Sequence, residues 1–166
     1  MYLYKKRIST AIFAAGCFWG LQFYFDQVPG VFSTEVGYIG GYLKKPTWDD
    51  VCRHTTGHAE AVKIKYDEKV ISYEMLVRHF FRLHDPTQLN RQGPDIGDNY
   101  RSAIFYISDK QRKIAENVQE EIQDKLTKEI MTSYEQATIF WPAEDYHQKF
   151  AERTGRGSCH IPYKPI

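Results

Sequence analysis

Residues 11–15, Ala-Ile-Phe-Ala-Ala, are apolar without a break, and so short a run bounded by polar residues predicts a buried strand. The stretch that follows Gly20, Leu-Gln-Phe-Tyr-Phe, reads as the first turns of a helix. Gln27-Val28-Pro29-Gly30 is a turn with Pro and Gly in favoured positions, and residues 31–38 then alternate loosely, as a strand does. A cleaner alternation follows. Val62, Ile64 and Tyr66 interleave with Lys63 and Lys65, which buries one face of a strand and wets the other. Ser72 can cap a helix that places Leu76, Val77, Phe80 and Phe81 on one side. Pro86 disfavours helix at Asp85 and predicts its end near His84. Residues 101–107 are β-prone and apolar, which predicts a central strand. Ser108 and Gln111 fit a capping box, and Ile114, Val118, Ile122 and Leu126 recur at steps of four behind it. Residues 134–141 predict a further strand and 144–152 a short helical segment.

Residues 43–58 and 87–100 show no sustained period and read as loops, which at this length inside a compact domain usually carry function. Residues 154–166 hold Gly155, Gly157, Pro162 and Pro165 around Cys159 and predict a mobile tail. The order strand, helix, strand, strand, helix, strand, helix, strand predicts an α+β fold. Its form is a two-layer α/β sandwich with a ferredoxin-like (split βαβ) mixed-sheet core and an irregular C-terminal tail. Residues 1–153 are assigned to one domain and 154–166 to the tail.

Composition narrows the functions. With 22 basic and 21 acidic side chains, the chain offers no electrostatic case for nucleic acid or an anionic membrane. Twelve Tyr and ten Phe exceed what a core obviously needs, which predicts an aromatic-lined pocket or recognition surface. Three widely spaced cysteines do not make a disulfide scaffold. Residues 1–7 lack the apolar run of a secretory leader and no long apolar run follows, so a soluble cytoplasmic protein is expected.

The candidate chemistry begins at Gly16-Cys17-Phe18-Trp19-Gly20, where the first strand gives way to the first helix. Unpaired N–H groups and the positive end of the helix dipole favour a thiolate there, and such positions can lower a cysteine pKa from ~8.5 toward roughly 4–7. Packing as a small inert hydrophobe is the other account of such a cysteine. A reactive thiolate works either with a base, as in acyl transfer, or with a second thiol, as in redox enzymes. His79, His84 and His147 carry no local signature that pairs them with Cys17, whereas Cys159 sits among glycines in a segment free to swing. Cys52, His54 and His58 put three possible metal ligands in seven residues, but no second pair completes a zinc set, and no metal is expected. Glu60 stands just before the alternating strand. Half desolvated, it could deliver a proton near neutral pH. Read from the residues alone, an exposed Glu at a strand end is the simpler account, since Glu is rarely buried unless paired.

Taken together, five strings resemble the A-type peptide methionine sulfoxide reductases. They are Gly16-Cys17-Phe18-Trp19-Gly20, Val36-Gly37-Tyr38-Ile39-Gly40-Gly41, Thr56-Gly57-His58-Ala59-Glu60, Tyr100-Arg101-Ser102-Ala103-Ile104 and Pro142-Ala143-Glu144-Asp145-Tyr146-His147-Gln148. The ordered set is far more specific than any one string, and the likeness runs from about Thr10 to Gln148. The resemblance implies that Cys17 attacks the sulfoxide sulfur, that Phe18 and Trp19 hold the S-methyl group, and that Glu60 protonates the sulfoxide oxygen. It further implies that Tyr100 hydrogen-bonds that oxygen, that Asp95 supports the polar network, and that Cys159 condenses with a Cys17 sulfenic acid to a disulfide reduced by thioredoxin. It implies action on the S epimer of methionine sulfoxide, free or in oxidised proteins, with no metal or organic cofactor and with thioredoxin or dithiothreitol as external reductant. No nucleic-acid or membrane partner is implied, and a monomer is expected. One departure stands out. The family usually carries Tyr in a Thr-Tyr-x-x-Val-Cys string; here Trp48 replaces it in Thr47-Trp48-Asp49-Asp50-Val51-Cys52, and an indole N–H donates but cannot accept. Another thiol enzyme (a peroxidase or acyl transferase) and a non-catalytic binder of methionine side chains are the competing readings.

Overall fold

The computed structural model describes residues 3–157 and 161–166. Strand β1 (Ile8–Ala15) lies between β3 (Ala59–Asp67) and β6 (Ser102–Tyr106), antiparallel to both, with Phe13 opposite Val62 on one side and Ile104 on the other. Strand β2 (Val31–Ile39) adds to the far side of β3, also antiparallel. β1 and β2 therefore run parallel with β3 inserted between them, and helix α1 (Phe18–Phe25) is their crossover. The same arrangement recurs as β3, helix α3 (Tyr73–Leu83) and β6, with β1 inserted. This is the expected split βαβ core. Strand β7 (Ser133–Gln136) joins β6 in parallel and β8 (Trp141–Pro142) joins β2, completing a mixed six-stranded sheet.

Successive side chains of a strand point to opposite faces, and the core divides accordingly. Ala11, Phe13 and Ala15 of β1 meet the apolar sides of α1, α3 and α4 (Asp109–Gln123). Phe13 sits at the centre of this layer, with ring centroids 5.1 Å from Phe80, 5.7 Å from Phe25 and 6.1 Å from Tyr73. Fully burying a side chain of this size contributes about 1.5–3 kcal/mol. Ile12 and Ala14 face the other way and cluster with Ile39, Ala59, Ala61, Ala103 and Phe105. Ala137 and Phe140 cover that second cluster.

That cover explains one misreading. Residues 134–141 are not one strand. Their two ends pair with opposite edges of the sheet, β7 on β6 and β8 on β2, and 137–140 cross the second face between them. Other elements depart in smaller ways. The loop 43–58 contains α2 (Trp48–Cys52), capped by Thr47, whose hydroxyl accepts from Asp50 N while the Asp50 carboxylate accepts from Thr47 N. The stretch 87–100 folds as a small hairpin, β4 (Arg91–Gln92) and β5 (Asp95–Ile96), followed by a 3-10 turn, Asp98–Tyr100. α3 begins and ends as expected, with Ser72 accepting from Met75 N. In α4, Ser108 accepts from Gln111 N as expected, but the Gln111 amide accepts from Ile107 N and donates to Thr10 O instead of closing the box. Leu126 lies beyond this helix and is 38 % exposed. The Gln123 side chain donates to Lys128 O and accepts from Ile130 N, turning the chain so that Ile130 is buried instead. The segment 144–152 is broken at Lys149, which adopts φ 56°, into a 3-10 turn (Asp145–His147) and helix α5 (Phe150–Thr154). The domain boundary assigned at 153 thus falls inside α5. Ile161 and Tyr163 pack against the main core.

Candidate active site

Cys17 is the N-cap of α1, in extended conformation at φ −62°, ψ 125°. Its thiol is half-buried at the positive end of the helix. Gly16 makes the turn at φ +88°, and a Cβ there would come within 2.9 Å of Gln92 Cβ, so a side chain has neither the conformation nor the space. Gln92 in turn is clamped, accepting from Asp85 N and donating to Asp85 O. A cavity of about 420 Å³ opens beside the thiol, bounded by Cys17, His84, Gln92, Pro94, Asp95 and Ile161. Burial raises the Asp95 carboxyl above its ordinary value.

Glu60 is 1 % exposed, not the solvated strand end that the residues alone favour. It shares strand parity with Val62 and Ile64 and so points at the helical layer. There its Oε1 accepts from Phe18 N at 3.3 Å and its Oε2 accepts from Asn99 Nδ2 at 3.4 Å. The carboxyl is thereby attached to the first N–H after Cys17. Tyr100 stands at the end of the 3-10 turn. Its phenol is pushed up first by burial and then by the acidic groups around it, Glu60, Cys52, Asp95 and Cys17, so it stays protonated and able to donate. Arg101 fixes this turn, with a bidentate pair to Glu135 at 3.1 and 3.2 Å and a bond to Asp98 O.

Aromatic rings close the remaining side. Phe18 is fully buried, 5.7 Å from Tyr38 and 5.1 Å from His147. Trp19 stacks on Phe150 at 3.9 Å, and its indole N–H donates to His147 Nδ1 at 2.9 Å. Trp48 lies 6.3 Å from Trp19 and edge-on to His147 at 5.1 Å. Glu144 holds this group together by accepting from Trp48 N and from the Tyr38 O–H. Burial opposes its ionisation, but these hydrogen bonds outweigh it and its pKa is lowered. His147 is wholly buried, and burial pushes its pKa down, so the ring is neutral with Nδ1 accepting.

The structure therefore places Cys17 and Asp95 on one cavity, holds Glu60 against the N–H that follows Cys17, keeps Tyr100 within electrostatic reach of all three, and groups Trp19 and Trp48 with Phe18 around His147. Cys159 lies outside the described residues. Cys52 is half-buried, and burial together with the charges of Glu60, Asp49 and Glu144 pushes its thiol up to about 11. It is a poor nucleophile at neutral pH. Sequence reasoning assigned no role to Asn99, His147, Glu144 or Gln92. The Pro142–Gln148 string was the available signal for two of them. No group of three or more His, Cys, Asp or Glu among the described residues could hold a metal ion.

A half-buried thiol at a helix start, a buried carboxyl bonded to the next N–H and a protonated phenol are the kinds of group that a cysteine enzyme with an accompanying acid requires. The model of the family described as peptide methionine sulfoxide reductase matches residues 9–166. A peptide methionine sulfoxide reductase MsrA from Methanothermobacter thermautotrophicus is 46 % identical over 158 residues, 94 % of each chain. Among solved structures, reduced Mxr1 from Saccharomyces cerevisiae superposes with a TM-score of 0.87 at 34 % identity, covering 100 % of this chain and 96 % of its own. Mxr1 in complex with Trx2 matches at 0.62 and 27 % identity, covering 91 % and 89 %. The chain belongs to the peptide methionine sulfoxide reductase family.

Proposed function

We propose that this enzyme reduces methionine S-sulfoxide, free or in oxidised proteins, through covalent chemistry at Cys17. The Cys17 thiolate attacks the sulfoxide sulfur while Glu60 gives a proton to the sulfoxide oxygen, which makes sulfur more electrophilic. Tyr100 donates a hydrogen bond to the same oxygen, and Asp95 braces the polar side of the cavity. Phe18 and Trp19 provide the apolar wall for the S-methyl group, and Trp48 extends it. Methionine departs and the oxygen remains on Cys17 as a sulfenic acid. Cys159 condenses with it, releasing water and leaving a disulfide, which thioredoxin reduces. The capture of Mxr1 with Trx2 supports that last step. No metal or organic cofactor enters any of these steps.

The single observation that carries the reading is the bond from Phe18 N to Glu60 Oε1, which sets a buried acid one residue from the nucleophile. Two further observations support Cys159 over Cys52 as the recycling thiol. Cys52 is held protonated, and the described residues flanking Cys159 both lie at this site. A Cβ on Gly157 would come within 2.8 Å of Trp19, and Ile161 bounds the Cys17 cavity. Among the described residues no helix is long and apolar enough to cross a membrane. A reducing compartment such as the cytoplasm suits a cycle that needs Cys17 as a thiolate. The test is an epimer-resolved assay with a blocked methionine sulfoxide and dithiothreitol. Loss of the S epimer alone, abolished by Cys17→Ser, is expected. Consumption of both epimers, or turnover by Cys17→Ser, overturns the reading.

A further inference from the structure

The 3-10 turn Asp98–Tyr100 carries Asn99 directly before Tyr100, and Asn99 is 1 % exposed. Its Nδ2 donates to Glu60 Oε2 at 3.4 Å, while its Oδ1 is buried and has no hydrogen-bond partner. A buried acceptor left unpaired is costly, so the bond to Glu60 is what orients this amide. The backbone beneath it is fixed. Gly97 N donates to Asn90 O at 2.9 Å, Tyr100 N to Gly97 O at 3.0 Å and Arg101 N to Asp98 O at 3.2 Å. Gly97, at φ +143°, has no space for a side chain, because a Cβ would lie 2.5 Å from both Asn99 Oδ1 and His54 Nδ1. The other carboxyl oxygen of Glu60 accepts from Phe18 N at 3.3 Å, so each oxygen meets a neutral donor. Titratable groups reach Glu60 from the surrounding elements: Tyr38 of β2, Cys52 of α2 and Tyr100, with Cys17 at the cap of α1. Burial pushes the first three up, so none of them is ionised at neutral pH, and none of the four is a cation.

We propose that Asn99 is a positioning residue for the acid, its amide N–H stabilising the Glu60 carboxylate that remains once the proton has moved to the sulfoxide oxygen. Burial favours the protonated form of a carboxyl and makes it slow to part with its proton. A neutral donor held against one oxygen offsets that burial, and it does so without the cation that would keep the group ionised throughout the cycle. The rigid turn delivers the donor to Oε2 and, one residue later, the Tyr100 phenol to the same site. No proton passes through Asn99. The proton goes from Glu60 to the sulfoxide oxygen, and the amide keeps both of its hydrogens. The inference rests on Glu60 as the acid.

The experiment is an infrared titration of the Glu60 carboxyl in Cys17→Ser, which removes the neighbouring thiol, with Glu60→Gln in the same background identifying the band. Adding Asn99→Ala should raise the titration midpoint by about one pH unit, the effect of losing a hydrogen bond to the charged form. Asn99→Asp keeps the shape of the side chain but sets a second carboxyl against Oε2, and should raise the midpoint further. With Cys17 restored, Asn99→Ala should lose about tenfold in kcat/KM for a blocked methionine S-sulfoxide with dithiothreitol. A packing role alone would leave the midpoint where it is. A midpoint that stays in place or falls in either Asn99 variant overturns the proposal, as does an unchanged kcat/KM in Asn99→Ala. Glu60→Gln with Cys17 present separates this from the underlying reading. If that variant turns over like the parent, Glu60 is not the acid, whatever Asn99 does. If it is inactive while the midpoint ignores Asn99, the acid stands and the role of Asn99 falls.

Discussion

Glu60→Gln separates the acid from the fold with little structural disturbance. The replacement is isosteric, and its carbonyl oxygen can keep accepting from Phe18 N. The new NH2 takes the place of Oε2 and meets the Asn99 Nδ2 donor, but Asn99 has an answer to that. Its Oδ1 is buried and has no hydrogen-bond partner, so a half-turn of the amide presents that oxygen to the new donor. The turned NH2 then faces the His54 side, where a Cβ on Gly97 would lie 2.5 Å from both Asn99 Oδ1 and His54 Nδ1. Since an unpaired buried acceptor costs about 1–3 kcal/mol, the variant should be as stable as the parent or slightly more so. Catalysis is different, because an amide has no proton to give at this step. Losing a general acid costs about 10²–10⁴ in rate, or about 2.7–5.4 kcal/mol of barrier. The assay is kcat/KM for a blocked methionine S-sulfoxide with dithiothreitol, beside a thermal melt. Parent-like activity in a variant with an unchanged melt would refute Glu60 as the acid. A large drop in melting temperature would refute the account of Asn99.

Gly16→Ala should lose about 1–3 kcal/mol of stability, from the strained φ of +88° and the approach to Gln92 Cβ, read as a fall in denaturation midpoint together with reduced kcat/KM. Trp19→Phe removes the donor to His147 Nδ1, and as His147 Nε2 has no partner either, a wholly buried imidazole is left with neither nitrogen bonded. A loss of about 1–3 kcal/mol in urea unfolding is expected. Burial holds His84 at about 4, against an ordinary 6.5, with its Nδ1–H donating to Phe80 O and its Nε2 accepting from Ser102. Between those values the unfolded chain binds a proton that the folded chain does not. The contribution, about 3 kcal/mol, is therefore whole above pH 6.5, is lost as pH falls, and levels off below pH 4. Unfolding free energies at intervals from pH 7.5 to 4 should show this slope, and His84→Gln should reduce it, leaving the smaller share that His79 and His147 contribute with the same sign. Trp48→Phe keeps an aromatic ring against His147 and should leave turnover within about threefold of the parent, unless its N–H serves the sulfoxide oxygen.

Elements whose evidence is local were legible. Ser72 with Leu76, Val77, Phe80 and Phe81 gives α3 its start and its buried side, and the lysine alternation gives β3 its two faces. What failed depended on distant partners. Residues 134–141 are β-prone throughout, yet β7 and β8 pair at opposite edges of the sheet, a choice that no local pattern encodes. α2 was within reach, since Thr47 and Asp50 have capping spacing, but its apolar content is too small for a period. Glu60 shows the same division. Its parity with Val62 and Ile64 already pointed inward, while the donors that make its burial tolerable, Phe18 N and Asn99 Nδ2, come from segments 42 and 39 residues away. The place of Cys17 at a strand-to-helix junction was legible, and the aromatic group around His147 was not, because it draws on α1, α2 and the stretch near residue 147 together.

The most direct measurement is a peptide mass map of the Cys159→Ser variant after one equivalent of methionine S-sulfoxide and dimedone, without reductant. The account predicts one methionine released per chain and one dimedone adduct, on the peptide that carries Cys17. Methionine released with no adduct there, or with the adduct on Cys52, would contradict it.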